Sequence, residues 1–130
     1  MNFKLDTKEK FTSILMEEID INANKAENLA AVCMPYLNNS VKNIILNLSN
    51  VVTIQEDATT ILLKLQQIFY EKNASFVICC LQNAVENSLE NYEVLEFLNV
   101  TPTESEAWDI VQMEEIEREL LDSEDIEFEA

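Results

Sequence analysis

Glycine and histidine are both absent from the chain. Without glycine no Gly-rich loop can cradle a phosphate, and every left-handed backbone position must be filled by a residue that carries a Cβ. Asparagine tolerates that conformation best, which points to Asn38, Asn39, Asn50, Asn73 and Asn83 as its occupants. Without histidine, the commonest general base and the commonest metal ligand are missing. Bases are scarce: 8 Lys and Arg stand against 25 Asp and Glu, a formal charge of −17. A field of that sign repels nucleic acid and anionic membrane surfaces and attracts basic protein surfaces. No uncharged apolar run reaches the roughly 18 residues of a membrane span, so membrane insertion is not expected. The first residues, MNFKLDTKEK, lack the apolar core of an export signal, so a cytoplasmic location is expected. The cysteines Cys33, Cys79 and Cys80 are odd in number, and the last two are adjacent in an apolar run. They read as small buried hydrophobes of a reducing compartment.

What is present is enough for a core. The chain has 130 residues, 48% of them apolar, which fits one folded domain rather than a disordered segment. Its charge is unevenly placed. Residues 1–100 hold 13 acids against 7 bases, whereas residues 101–130 hold 12 acids against Arg118 alone.

The organising stretch is Val41 to Glu71. The β-branched run Ile44-Ile45-Leu46 followed by Leu48 predicts a strand buried on both faces. From Asp57, apolar residues at Ala58, Ile61, Leu62, Leu65 and Phe69 predict one face of a helix. Before this, Phe3 to Leu5 and Phe11 to Met16 predict a hairpin, and Ala26, Leu29, Ala30, Cys33 and Leu37 a helix. That helix is expected to be capped by Asn24 with Glu27, and to loosen at Pro35. After the central pair, Ser75 to Leu81 predicts a second doubly buried strand, Asn83 caps a short helix, and Val100 lies on a final edge strand. Thr103 with Glu106 forms a capping box for a last helix whose apolar positions are Ala107, Trp108, Ile110, Val111, Met113, Ile116 and Leu120. The segment after Leu121 is too charged to pack and is expected to be mobile. The expected fold is therefore α/β, a central mainly parallel or mixed β-sheet of four to five strands with about four helices. A domain over residues 1–112 is followed by an acidic extension and tail over 113–130.

At the junction of central strand and helix, Asn47-Leu48-Ser49-Asn50-Val51-Val52-Thr53-Ile54-Gln55-Glu56-Asp57-Ala58 resembles, without a gap, the pattern D-L-S-x-V-x-x-I-D-S-S-G of the STAS family, the sulphate-transporter and anti-sigma-factor-antagonist domains. Ile21 to Leu29 resembles the family's second landmark, L-D-x-x-x-A-x-x-L, with Asn22 in place of Asp. The hydrophobic and turn positions match, whereas Gln55, Glu56, Asp57 and Ala58 replace the family's Asp, Ser, Ser and Gly. In bacterial antagonists of this family the second serine is phosphorylated by an anti-sigma kinase. By resemblance Asp57 holds that place without a hydroxyl. The resemblance implies a STAS-like fold and a kinase-like anti-sigma factor as partner, in a bacterial cytoplasm.

Two readings of Asp57 coexist. As structure, Asp57 or Glu56 caps or precharges a helix N-terminus, worth about 0.3–1 kcal/mol. As function, a carboxylate stands in partly for a phosphoserine, which carries nearly twice the charge. The carboxylate pairs Glu17-Glu18, Glu56-Asp57 and Glu114-Glu115 read as solvated surface, because sequence neighbours diverge on a helix or strand. Thr59 and Thr60 read as helix-surface residues rather than phospho-acceptors. No nucleophile–base motif, cofactor motif or metal-ligand spacing is present, so no enzymatic activity, metal or cofactor is expected. In the tail, Leu120, Leu121, Ile126 and Phe128 among acids serve either solubility or docking to a basic, apolar partner groove.

The leading expectation is a non-catalytic regulatory interaction domain, anti-sigma-factor-antagonist-like, without the serine phosphorylation switch. Its partner-binding residues are expected to be Asn50, Val51, Val52, Thr53, Gln55, Glu56, Asp57, Ala58, Thr59 and Thr60. The alternatives are a small-molecule or nucleotide-binding module, or an accessory subunit of a transporter or signalling complex. Nothing in the sequence fixes the oligomeric state.

Overall fold

The computed structural model describes residues 2–129, with side chains described as far as Leu121. The chain opens with the expected hairpin, β1 (Phe3–Thr7) and β2 (Phe11–Met16), paired antiparallel from Phe3 opposite Met16 to Thr7 opposite Thr12. A two-residue strand β3 (Asp20–Ile21) leads into α1 (Ala23–Cys33). The cap of α1 differs from the expectation: Asn22, not Asn24, accepts from the Lys25 amide at 2.9 Å. Asn22 has the extended backbone a cap requires, which places Asn24 already inside the helix. At Pro35 the α-helix gives way to a 3-10 turn over Met34–Asn38, which accepts proline near its start.

Strands β4 (Asn43–Asn47), β6 (Phe76–Cys79) and β7 (Val100–Thr101) then extend the sheet in parallel, while β5 (Thr53–Ile54) pairs with β3 as a separate ribbon. The main sheet has five strands in the order β1-β2-β4-β6-β7. The helices α2 (Glu56–Glu71), α3 (Asn83–Asn91) and α4 (Glu104–Glu129) connect or follow these strands. The sheet is mixed only because β1 runs against β2; all other pairings are parallel.

Alternation in the doubly buried strands separates two apolar layers. Ile44, Leu46, Phe76 and Ile78 point to one face, where Ala26, Leu29 and Cys33 of α1, Leu62, Leu65 and Phe69 of α2, and Val85 and Leu89 of α3 close over them. Ile45, Val77 and Cys79 point to the other face, with Phe11, under α4 alone. Phe69 packs on Phe76 with ring centroids 5.6 Å apart in the first layer, and Trp108 on Phe11 at 5.0 Å in the second.

The fit of α4 differs from the expectation. Ala107 and Val111 are buried and Trp108 and Ile110 partly so, whereas Met113, Ile116 and Leu120 are exposed. Beyond Val111 the helix is tied to the sheet by polar contacts instead. Glu115 accepts from Asn43 Nδ2 at 2.6 Å and Arg118 donates to Ser75 Oγ at 3.3 Å, while nearer its start Glu104 accepts from Ser13. Asn43 and Ser75 lie at the starts of β4 and β6, where the apolar sheet surface ends. The capping role of Thr103 agrees with the expectation: its hydroxyl accepts from the Glu106 amide at 3.1 Å. Ile126 and Phe128, and with them the reading of a mobile tail, lie outside the described side chains.

Left-handed backbone occurs at Asn73, Cys80 and Glu93 among the described residues, so of the five expected asparagines only Asn73 adopts it. Asn73 and Glu93 each follow a helix end at which an amide one residue on returns to the last turn: Ala74 N to Phe69 O at 2.9 Å, and Val94 N to Leu89 O at 3.0 Å. This is the helix ending that glycine ordinarily supplies. Asn38 instead sits in the 3-10 turn, Asn39 is extended behind it, and Asn83 is helical behind Gln82, whose side chain makes no capping bond. Asn50 keeps a negative φ in the turn after β4.

Candidate functional site

The loop from β4 to α2 emerges at the carboxyl edge of the sheet, where open α/β sheets usually present their binding residues. It is held by contacts from several directions. The Ser49 amide donates to Asn47 Oδ1 at 2.9 Å, and the Val51 amide to the Leu48 carbonyl at 3.0 Å, closing the turn. Gln82 Nε2 donates to the Ser49 carbonyl at 2.8 Å, Asn50 Nδ2 to the Met16 carbonyl at 3.3 Å, and the Tyr92 hydroxyl to the Ile54 carbonyl at 3.0 Å. The Val52 and Thr53 amides both donate to the Ile19 carbonyl, at 2.6 and 3.2 Å, and β3 and β5 continue that contact. Four segments thus fix one loop, so its outward side chains are presented without much ordering left to do on binding.

The ten residues expected at the interface divide in two. Asn50, Val52, Thr53, Gln55, Glu56, Asp57 and Thr60 are exposed. Val51, Ala58 and Thr59 are buried and cannot meet a partner. Val51 drops into the first apolar layer, and Ala58 and Thr59 occupy the turn of α2 that faces the sheet. Thr59 is therefore not the surface residue it was expected to be: its hydroxyl donates to the Glu56 carbonyl one turn back. This polar group is buried but satisfied.

Helix α2 starts one residue earlier than the periodicity suggests. Gln55 is its N-cap and makes no side-chain capping bond, so Asp57 is not a cap. Glu56 and Asp57 occupy the first turn, where their charges act favourably on the positive end of the helix dipole. Sequence reasoning missed Ile19. It is exposed and its carbonyl accepts from the Val52 amide, and Val52 is also exposed, so two large apolar side chains stand on the loop leading into α2. A lone isoleucine between Glu18 and Asp20 carries no period, and only the β3–β5 pairing reveals its neighbour.

The cysteines behave as small hydrophobes with one exception. Cys33 is fully buried, and burial pushes its thiol up to about 12. Burial likewise raises the Cys79 thiol well above its ordinary value, helped by the neighbouring Cys80. Cys80 leaves the strand with φ of 65° and is only partly buried, so it does not continue β6 as expected. Beside it, a cleft of about 500 Å³ at the carboxyl end of β6 and β7 is lined by Leu81, Asn83, Glu86, Leu98 and Thr101 among others, with no Lys or Arg. A phosphate-bearing ligand would find no positive charge there. Among the described residues no cluster of three or more His, Cys, Asp or Glu could hold a metal ion, and no helix is long and apolar enough to cross a membrane.

The strands and helices, with one antiparallel edge strand and a tied loop before the second long helix, form a mixed α/β domain of one sheet covered by helices on both faces. A sequence model of the STAS domain matches residues 4–107, and the chain belongs to that family. Among solved structures it is similar to a Thermotoga maritima protein proposed to be an anti-sigma factor antagonist, at 19% identity and TM-score 0.69 over 85% of this chain and 94% of that one. It is also similar to the anti-sigma factor antagonist SpoIIAA in its unphosphorylated form, at 15% identity and TM-score 0.66 over 85% of this chain and 96% of that one. A third likeness is to the murine anion transporter Slc26a9, at 14% identity and TM-score 0.63, covering 79% of this chain but 18% of that one. A search of curated protein sequences finds no match.

Proposed function

We propose that this STAS domain is a non-catalytic regulator that binds a protein partner through the β4–α2 junction, with a fixed carboxylate at Asp57 where bacterial antagonists of the family carry the phosphorylated serine. The partner class favoured by the family is a kinase-like anti-sigma factor. The observation that supports this reading most directly is the exposed surface of Ile19, Val52, Thr53, Gln55, Glu56, Asp57 and Thr60 around a loop anchored from four segments. It combines apolar contact area with acidic charge on a rigid frame, which suits recognition of a surface that is partly apolar and partly basic. Thr59 is buried and bonded, so a kinase could not reach its hydroxyl without unwinding the helix, which leaves Thr60 and Thr53 as the exposed hydroxyls of the junction.

The test is binding of the full chain to a kinase-like anti-sigma factor, with and without ATP, followed by mass spectrometry for phosphate. The expected result is a complex that ATP does not dissolve. Asp57→Arg should weaken it about tenfold or more, since replacing an interface charge by its opposite costs over 1 kcal/mol. Phosphate at high occupancy on Thr60 or Thr53, with loss of the complex, would overturn the fixed-carboxylate reading. Unchanged affinity of Asp57→Arg would remove the junction from the interface.

A further inference from the structure

Helix α4 presents a second surface, on the opposite side of the sheet from α1 and α2. Met113, Ile116 and Leu120 are 59%, 55% and 57% exposed and recur at i, i+3 and i+7, so they form one stripe along the helix. Ala107 and Val111, fully buried, mark the side that faces the sheet. At 100° per residue the stripe points almost directly away from them. Single exposed apolar residues need no explanation, but a contiguous stripe on a helix already anchored to its own domain does.

The charge around the stripe limits what can cover it. From Glu104 to Leu121 the helix carries seven acids and one base, Arg118. That guanidinium is directed inward to Ser75 Oγ at 3.3 Å, whereas Asp109 and Glu117 lie on the outer side next to the stripe. A second copy seated on it would oppose two acidic rims with no base to pair them, in molecules that each carry −17. An anionic membrane would be repelled in the same way. A helix with its own apolar stripe edged by Lys and Arg matches on both counts, burying Met113, Ile116 and Leu120 while pairing Asp109 and Glu117.

We infer that the outer face of α4 is a docking site for a basic amphipathic helix of another protein, separate from the β4–α2 junction. The two surfaces lie on different sides of the domain, so one molecule can join two partners.

The test uses the full chain and a synthetic helix of about 18 residues, five turns, with leucines on one face and lysines on the flanks. An isomer of equal composition with its leucines scattered is the control. Fluorescence anisotropy at about 0.15 M salt should show the patterned peptide binding roughly tenfold or more tightly than the isomer. The combined change Met113→Ser, Ile116→Ser and Leu120→Ser should abolish that preference with an unchanged thermal transition, and Ile116→Lys alone should do so should the triple variant fold poorly. Asp57→Arg should leave the preference intact, which keeps this result independent of the junction. Equal binding of the two peptides would overturn the inference, as would preference surviving in both variants. A dimer in sedimentation equilibrium that Ile116→Lys dissociates would assign the stripe to a second copy instead.

Discussion

Removing the side chain of Asn43 should destabilise the domain more than its position at a strand start suggests. Asn43 is almost fully buried and joins three segments. Its Nδ2 donates to the Lys10 carbonyl at 2.9 Å and to Glu115 Oε1 at 2.6 Å, and its Oδ1 accepts from the Ser75 amide at 2.8 Å. The Ser75 amide can only donate, which fixes the orientation of the side-chain amide. Asn43→Ala leaves that buried amide unpaired, at about 1–3 kcal/mol, and removes a hydrogen bond to a carboxylate, partly offset by rehydration of Glu115. A loss of about 2–4 kcal/mol follows. With a urea slope of about 2 kcal/mol/M for a chain of this size, the midpoint should fall by about 1–2 M at unchanged slope. Asn43→Asp keeps the acceptor for Ser75 but turns an oxygen toward the Lys10 carbonyl and the Glu115 carboxylate. Two like charges held side by side, with the donation to Lys10 lost, cost stability near pH 7. Asn43→Asp should therefore be less stable than the natural protein near pH 7. A midpoint shift under about 0.3 M for Asn43→Ala, or an Asn43→Asp variant as stable as the natural protein at pH 7, would refute the reasoning.

Glu93→Gly should raise stability by about 0.5–1 kcal/mol in urea melts, because relief of left-handed strain of about 1–2 kcal/mol exceeds the added freedom of the unfolded chain; its φ is 60°. Cys80 should be the fast-reacting thiol toward a disulfide reagent at about pH 8, with Cys33 and Cys79 reacting only as the chain unfolds, since burial holds both in the thiol form. The native state keeps the Cys33 proton up to about 12, while the unfolded chain loses it near 9, so stability should fall as pH rises across that interval. Part of the fall should vanish in Cys33→Ala. Truncation after Leu121 should shift the melting temperature by less than about 2 °C, since Asp122 to Ala130 holds five acids with only Ile126 and Phe128 to bury; a larger drop would mean that these two dock on the core.

The sheet and its order of helices were legible because β4 and β6 are buried on both faces and read as apolar runs, while α2 keeps a strict helical period. The misreadings share a cause: in each, two placements satisfy the same local pattern and distant partners choose. In α4, apolar residues at 107, 108, 110, 111, 113, 116 and 120 hold two stripes, and nothing local says which one faces the sheet. The choice is made by Phe11, Ile45 and Val77, which take Ala107 and Val111, and then by Asn43 and Ser75, which take Glu115 and Arg118. Asparagine tolerance suggested five left-handed sites, but geometry placed two of the three at helix ends with Asn73 and Glu93, and one after β6 at Cys80. At the junction the exposed residues were legible from the family pattern. The burial of Val51, Ala58 and Thr59 and the company of Ile19 depend on the loop's path beside β3 and were not.

The substitutions that erase the family's phosphorylation signature also favour the helix that carries it. Alanine in place of glycine at position 58 removes roughly 1 kcal/mol of helix-propensity cost, and its Cβ is fully buried in the first apolar layer. Glu56 and Asp57 in the first turn each add about 0.3–1 kcal/mol through the dipole, whereas serine adds no charge. The first turn of α2 is therefore stiffer and permanently negative. Two carboxylates carry about the charge of one phosphoserine, but as neighbours they project about 100° apart around the helix, so no single point holds a dianion. A partner pocket built for a phosphate would meet half the charge at Asp57, and one built for a neutral serine would meet too much. On the proposed reading, the junction therefore selects a partner whose surface differs from both, with its basic groups spread along Glu56 and Asp57 and its apolar contact at Ile19 and Val52. Its affinity is then set by the sequence alone, and any regulation has to act through the partner or through the outer face of α4.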